Sequence, residues 1–120
     1  MRKPIIKKFI KGIPYGQNQH NIEARREWSE EVKKQTRDKP KIQGPCEMRV
    51  TFVLSPQQFP NDHPDGPDLD NLLKRFQDAL NETIFSECPG KDGCIVQLYA
   101  DKEKGTSEEK LGARLEIFKV

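Results

Sequence analysis

No apolar run in this sequence approaches the roughly 18 residues that a membrane-spanning helix needs. The N-terminal stretch MRKPIIKKFIKG is basic, but Lys7, Lys8 and Lys11 interrupt what would be the apolar core of a signal peptide. Histidine occurs only at His20 and His63, far apart in sequence, and solvated or loop histidines are the simpler reading. Cysteine occurs three times, at Cys46, Cys88 and Cys94. An odd number without Cys-x-x-Cys spacing argues against a disulfide framework or a zinc ribbon. Cys88 and Cys94 flank a Pro-Gly turn and leave room for a local metal clip, but zinc wants about four ligands and no suitable His pair is nearby. There are no internal repeats and no long low-complexity tract. These absences point to a soluble, cytoplasmic protein with no membrane partner.

What is present suits a single domain over residues 1–120, with a limited core that association with a second copy would help. Apolar and charged residues each make up 33%, and the apolar ones fall in patterned groups, so the chain is polar without being disordered. Charge is uneven. Residues 1–45 carry twelve Lys/Arg against five Asp/Glu, and residues 46–120 carry nine against fourteen. The first part is suited to a polyanion and the second gathers carboxylates, although a solvated lysine face is common in any protein.

The patterning predicts the order β-α-β-α-β-β, an α+β domain in which a mixed sheet of about four strands packs with two helices. Ile5 to Ile13 reads as a strand ended by Gly12 and Pro14. From about Asn21 to Thr36, Ala24, Trp28 and Val32 recur every four residues, a narrow apolar stripe that places Trp28 in the core. Glu30 and Lys34 are spaced for a weak i,i+4 pair. Met48, Val50, Phe52 and Leu54 alternate with polar residues as in a half-buried strand. Residues 56–67 hold four prolines and one glycine, a stiff loop in which Phe59 is expected to pack. Leu69, Leu72, Leu73, Phe76 and Leu80 then mark a second helix. Cys94, Val96, Leu98 and Ala100 alternate on one side of a further strand, and the polar hairpin DKEKGTSEEK leads to the last strand, ARLEIFKV.

The entrance to the second helix is the part that carries chemistry. Asp62, Asp65, Asp68 and Asp70 fall within nine positions, and no Lys or Arg occurs between Arg49 and Lys74. One reading is structural. Asp68 would cap the helix, Asp70 would suit its dipole, and Asp70 and Lys74 would form a surface ion pair of little value. The other reading is catalytic. Crowded carboxylates repel one another, and a bound divalent cation relieves that repulsion. Mg²⁺ takes hard oxygen ligands, commonly one or two carboxylates with substrate phosphate, and it can activate water and stabilise a leaving oxygen. Lys74, one turn on, would neutralise charge at the reacting phosphate. A third acid would have to come from elsewhere, and Asp92, just before a strand, is the best placed. Asp78 lies two turns from Asp70, about 12 Å along the helix, too far to share an ion.

The stretch PDLDNLLKRFQDALN resembles the signature of the RusA family of Holliday-junction resolvases: Asp-x-Asp-Asn-x-x-Lys followed by Asp-Ala-Leu-Asn. Here it stands as Asp68, Asp70, Asn71, Lys74, Asp78, Ala79, Leu80 and Asn81. The resemblance implies a RusA-like fold and a Mg²⁺-dependent endonuclease, with Mn²⁺ as a possible substitute. It implies a homodimer that binds four-way DNA junctions and nicks two strands symmetrically in recombination and repair. The family's metal ligands would correspond to Asp68, Asp70 and Asp92, with Lys74 as the catalytic lysine. One departure stands out. The connection ETIFSECPGKDGCIV is longer than is usual in the family, and Lys91 precedes a single acid, Asp92, with Glu87 as the alternative third acid. An incomplete site would leave a junction-binding protein that does not cut. Lys3, Lys7, Lys8, Lys11, Arg25, Arg26, Lys33 and Lys34 are the available phosphate partners for DNA.

Overall fold

A computed structural model of the chain describes residues 2–15, 21–56, 68–107 and 110–120. The elements run β1 (Ile6–Lys11), α1 (Ile22–Thr36), β2 (Cys46–Leu54), α2 (Leu69–Leu80), β3 (Ile95–Lys104) and β4 (Gly112–Lys119). A short 3-10 turn, Lys91–Cys94, precedes β3. This is the α+β order expected from the apolar periodicities, with four strands in one mixed sheet.

The strands lie in the order β1-β4-β2-β3. β4 pairs antiparallel with both β1 and β2, and β3 pairs parallel with β2. The polar segment before β4 therefore does not close a hairpin, as its sequence suggested. Instead β3 is reached from β2 through α2, the crossover that a parallel pair requires. β1 to β2 through α1 is a second crossover in the same direction across the sheet. Such crossovers are right-handed, so two of them moving the same way place both helices on one face.

That face is the core. Trp28 and Val32 from α1 and Leu72, Phe76 and Leu80 from α2 are buried against Met48, Val50, Phe52, Leu115 and Ile117. Trp28 stacks on Phe76 at 6.3 Å between ring centroids, and Phe52 meets Phe76 edge-on at 5.4 Å. Burying one such side chain stabilises the fold by roughly 1.5–3 kcal/mol. Between the helix layer and the segment after α2, the buried hydroxyls of Thr36 and Thr83 share a 2.8 Å hydrogen bond, and Thr36 Oγ1 also lies 2.7 Å from the Val32 carbonyl.

β3 departs from the simple alternation. Cys46 faces Ile95 but Glu47 faces Gln97, so the register shifts by one residue at Val96. Ile95 and Ala100 pack against the core, while Val96 and Leu98 are exposed. Cys94 falls in the 3-10 turn rather than in the strand.

Candidate active site

Asp68 is the N-cap residue of α2, and its carbonyl accepts the Leu72 amide at 3.0 Å. Its carboxylate makes no capping bond. Among the described residues Asp70 Oδ1 accepts only the adjacent Asn71 amide, at 3.0 Å, and Asn71 Nδ2 stands 3.5 Å from Asp68 Oδ2. Asp68, Asp70 and Lys74 are all exposed. Among the described residues Asp70 and Lys74 form no ion pair. The structural uses open to these side chains, a side-chain cap and a surface pair, are therefore not taken up. Two carboxylates with spare lone pairs remain beside a lysine, at the helix end next to the carboxyl ends of the parallel strands β2 and β3. Outside the carboxyl ends of such strands is where open α/β sheets commonly place ligands.

Asp92 stands elsewhere. Its amide donates to Asn81 Oδ1 at 2.9 Å, and Asn81 is the C-cap of α2. Asp70 and Leu80 are separated by ten helical residues, about 15 Å of axis. Asp92 is thus moored to the opposite end of the helix that carries Asp68 and Asp70. Among the described residues no three His, Cys, Asp or Glu side chains gather to hold a metal. Glu87, the alternative third acid, accepts from Gln43 Nε2 at 3.2 Å.

The turn that presents Asp92 is tightly built. Gly90 (φ 76°) and Lys91 (φ 52°) both adopt left-handed backbone, natural for glycine and uncommon for lysine. This brings Cys88 and Cys94 to a Cα separation of 6.8 Å, and the two are joined by a disulfide. The odd cysteine count pointed away from such a bond. It is a local staple rather than a framework, with Cys46 left over as a free, buried thiol whose pKa is raised by its burial.

The basic residues divide between surfaces. On β1, Ile6 and Ile10 face the helix layer, so Lys8 lies on that side of the strand and Lys7 and Lys11 on the open side. Lys3 is exposed ahead of the strand. Arg25, Arg26 and Lys33 line a groove of about 350 Å³ between α1 and α2, together with Arg75, Asp78 and Glu82. Lys34 is exposed on α1, and Glu30 pairs with Lys33, at 3.5 Å, rather than with it. Lys33 also reaches Glu82 at 3.2 Å, a bond that raises its pKa. Arg75 is not among the residues that the sequence marks for function, and Asn81 is marked only within the Asp-Ala-Leu-Asn segment. Arg75 is the one long cation bordering the apolar stripe of α2, and that position was its only signal.

The open sheet face carries a second depression, of about 730 Å³, lined by Lys7, Phe9, Arg49, Tyr99 and Arg114 among others. Its arginines, Arg49 and Arg114, are each paired with an acid. Arg2 and Arg49 both bind Glu47, and Arg114 binds Glu103 through both terminal nitrogens, at 3.0 and 2.7 Å. His20, Phe59, Asp62, His63 and Asp65 lie outside the described residues.

A small α+β domain with an acidic, lysine-flanked helix entrance at the carboxyl end of its parallel strands is a frame suited to phosphodiester chemistry, and the family comparison agrees with it. The endodeoxyribonuclease RusA family matches residues 12–117, most of the chain, and the protein belongs to that family of DNA endonucleases. A comparison with individual curated proteins gave no match. No helix among the described residues is long and apolar enough to cross a membrane.

Proposed function

We propose that this protein is a divalent-metal-dependent endonuclease that binds four-way DNA junctions as a homodimer. It nicks two opposed strands, in the service of recombination and repair in the cytoplasm. The observation that carries this reading is the state of the α2 entrance: Asp68, Asp70 and Lys74 are exposed and form no ion pair among the described residues, and the Asp68 carboxylate makes no helix cap, in a chain of the RusA family.

Asp68 and Asp70 would hold the ion, since their hard oxygens suit Mg²⁺ and Mn²⁺. When bound, the ion supplies an activated water and offsets charge on the phosphate. Lys74 sits one turn from Asp70 and neutralises charge that builds on the phosphoryl oxygens. Exposure leaves all three within reach of a duplex arm, and the open backbone amides at the α2 N-terminus add to the pull on phosphate.

The place of Asp92 gives the dimer a chemical role. With Asp92 moored at the far end of its own α2, the third carboxylate at each Asp68–Asp70 pair comes from a second copy. A twofold dimer then builds two equivalent sites, as a junction with two equivalent strands requires.

The test uses an end-labelled four-way junction and a matched linear duplex, each with Mg²⁺ or a chelator. Paired nicks on the junction alone, abolished by the chelator and by Asp70→Asn, are the expected result. Tight junction binding without nicks in Mg²⁺ or Mn²⁺ would instead define a junction-binding protein and overturn the enzyme reading.

A further inference from the structure

The cations of the α1–α2 groove are not equivalent. Lys33 is occupied by Glu82 and Glu30. Arg75 is half-buried yet forms no ion pair among the described residues; its Nη1 donates to Ser29 Oγ at 3.3 Å, and its buried Nε has no partner. Arg25 lies close enough to repel it, and this repulsion adds to burial in lowering the Arg75 pKa. Asp78 is near enough to offset part of that charge but forms no ion pair with it. A guanidinium held out of water beside a second arginine, with a free N–H, is an arrangement completed by an anion.

Its position says which anion. Asp68 and Arg75 are seven residues apart, so they lie on the same side of α2, about 10.5 Å along its axis. Asn71 lies between them and touches Asp68. DNA rises about 3.4 Å per nucleotide along the duplex axis, and because each strand also winds round that axis its successive phosphates stand roughly twice as far apart. A strand whose reacting phosphate sits at Asp68 therefore presents another phosphate at Arg75 one or two nucleotides away.

We propose that Arg75, with Arg25 across the groove, binds one backbone phosphate of the cut strand one or two nucleotides from the scissile bond and so sets where along the arm the cut falls. This rests on the nuclease reading above and adds to it a positioning residue and a subsite.

The experiment measures binding in a chelator, so it does not depend on cleavage. Junctions carry a single uncharged methylphosphonate at each of the six positions flanking the scissile bond on either side. They are titrated with the wild-type protein and with Arg75→Gln, whose fold is checked by melting. The expected result is one position, one or two nucleotides out, where neutralisation weakens wild-type binding about tenfold. At that position Arg75→Gln loses nothing further, and the variant's salt slope is smaller by about 0.9, the value for one phosphate. Additive losses at every position overturn the inference while leaving the nuclease reading intact. Failure of the wild-type protein to bind any junction overturns both. If Arg75→Gln does not fold, the Arg75 Nε–H resonance of the wild-type protein decides. It shifts on adding the unmodified junction but not on adding the junction neutralised at that position; equal shifts with both overturn the assignment.

Discussion

At its N-terminal end α2 offers solvent two carboxylates and a lysine that form no ion pair among the described residues. At its C-terminal end Asn81 fixes the amide of Asp92, in a turn stapled by Cys88 and Cys94. The first end leaves its carboxylates exposed, while the second holds a half-buried Asp92 in an anchored turn. In the proposed enzyme, one chain would thus supply the parts of a metal site without assembling them. About 15 Å of helix axis separates the two acidic groups, whereas one ion binds oxygens at roughly 2.0–2.6 Å.

The largest expected effect comes at the open end. Asp70→Asn removes a ligand charge and should lower junction cleavage at least about 10²-fold, with binding in a chelator unchanged. Gel assays of cleavage and of binding, run side by side, check both halves of that statement.

At the anchored end, Asn81→Ala leaves the Asp92 amide without its partner. Loss of such a hydrogen bond costs about 1–3 kcal/mol if the amide stays buried, read as a lower melting temperature. Cleavage should fall about tenfold, less than for Asp70→Asn, because Asp92 keeps its carboxylate but not its mooring. Equal cleavage in Asn81→Ala and the wild type would remove the anchor from the account.

The smallest effect belongs to the open sheet face, on the side away from the helices. Glu47 is nearly inaccessible and binds Arg49 and Arg2, and the hydrogen bond from Arg49 holds its carboxyl below the ordinary value of 4.5. Its contribution to stability is therefore complete above about pH 4.5, the unfolded-state value, and is lost as pH falls through the lower folded value. Glu47→Gln should lower the melting temperature modestly at neutral pH. It should also flatten the fall in stability below that pH in an acid titration, with junction cleavage unchanged.

Much of this comparison was legible in the sequence. The spacing of Leu72, Phe76 and Leu80 and the alternation of Met48, Val50, Phe52 and Leu54 report one buried face each, and all seven are buried. The acids at the α2 entrance were legible as well, because local composition is enough to see them. The place of β3 was not. Adjacent strands with a polar link suggest a hairpin, and only the right-handed path through α2 sets β3 beside β2 instead. Long-range pairings were equally hidden. Ser29 and Arg75 are 46 residues apart and Asn81 and Asp92 eleven, and no periodicity marks either contact. The staple between Cys88 and Cys94 follows from the left-handed turn at Gly90 and Lys91, which residue counts do not reveal.

The central claim, that each site takes Asp68 and Asp70 from one copy and Asp92 from another, is tested most directly by a mixed dimer. Asp70→Asn and Asp92→Asn chains are co-expressed with different tags, and the heterodimer is purified by both. Each homodimer should be inactive on the four-way junction in Mg²⁺. The heterodimer retains one intact composite site, so it should nick one strand without the paired cut. A heterodimer as inactive as either homodimer would contradict the claim and return all the ligands to a single chain.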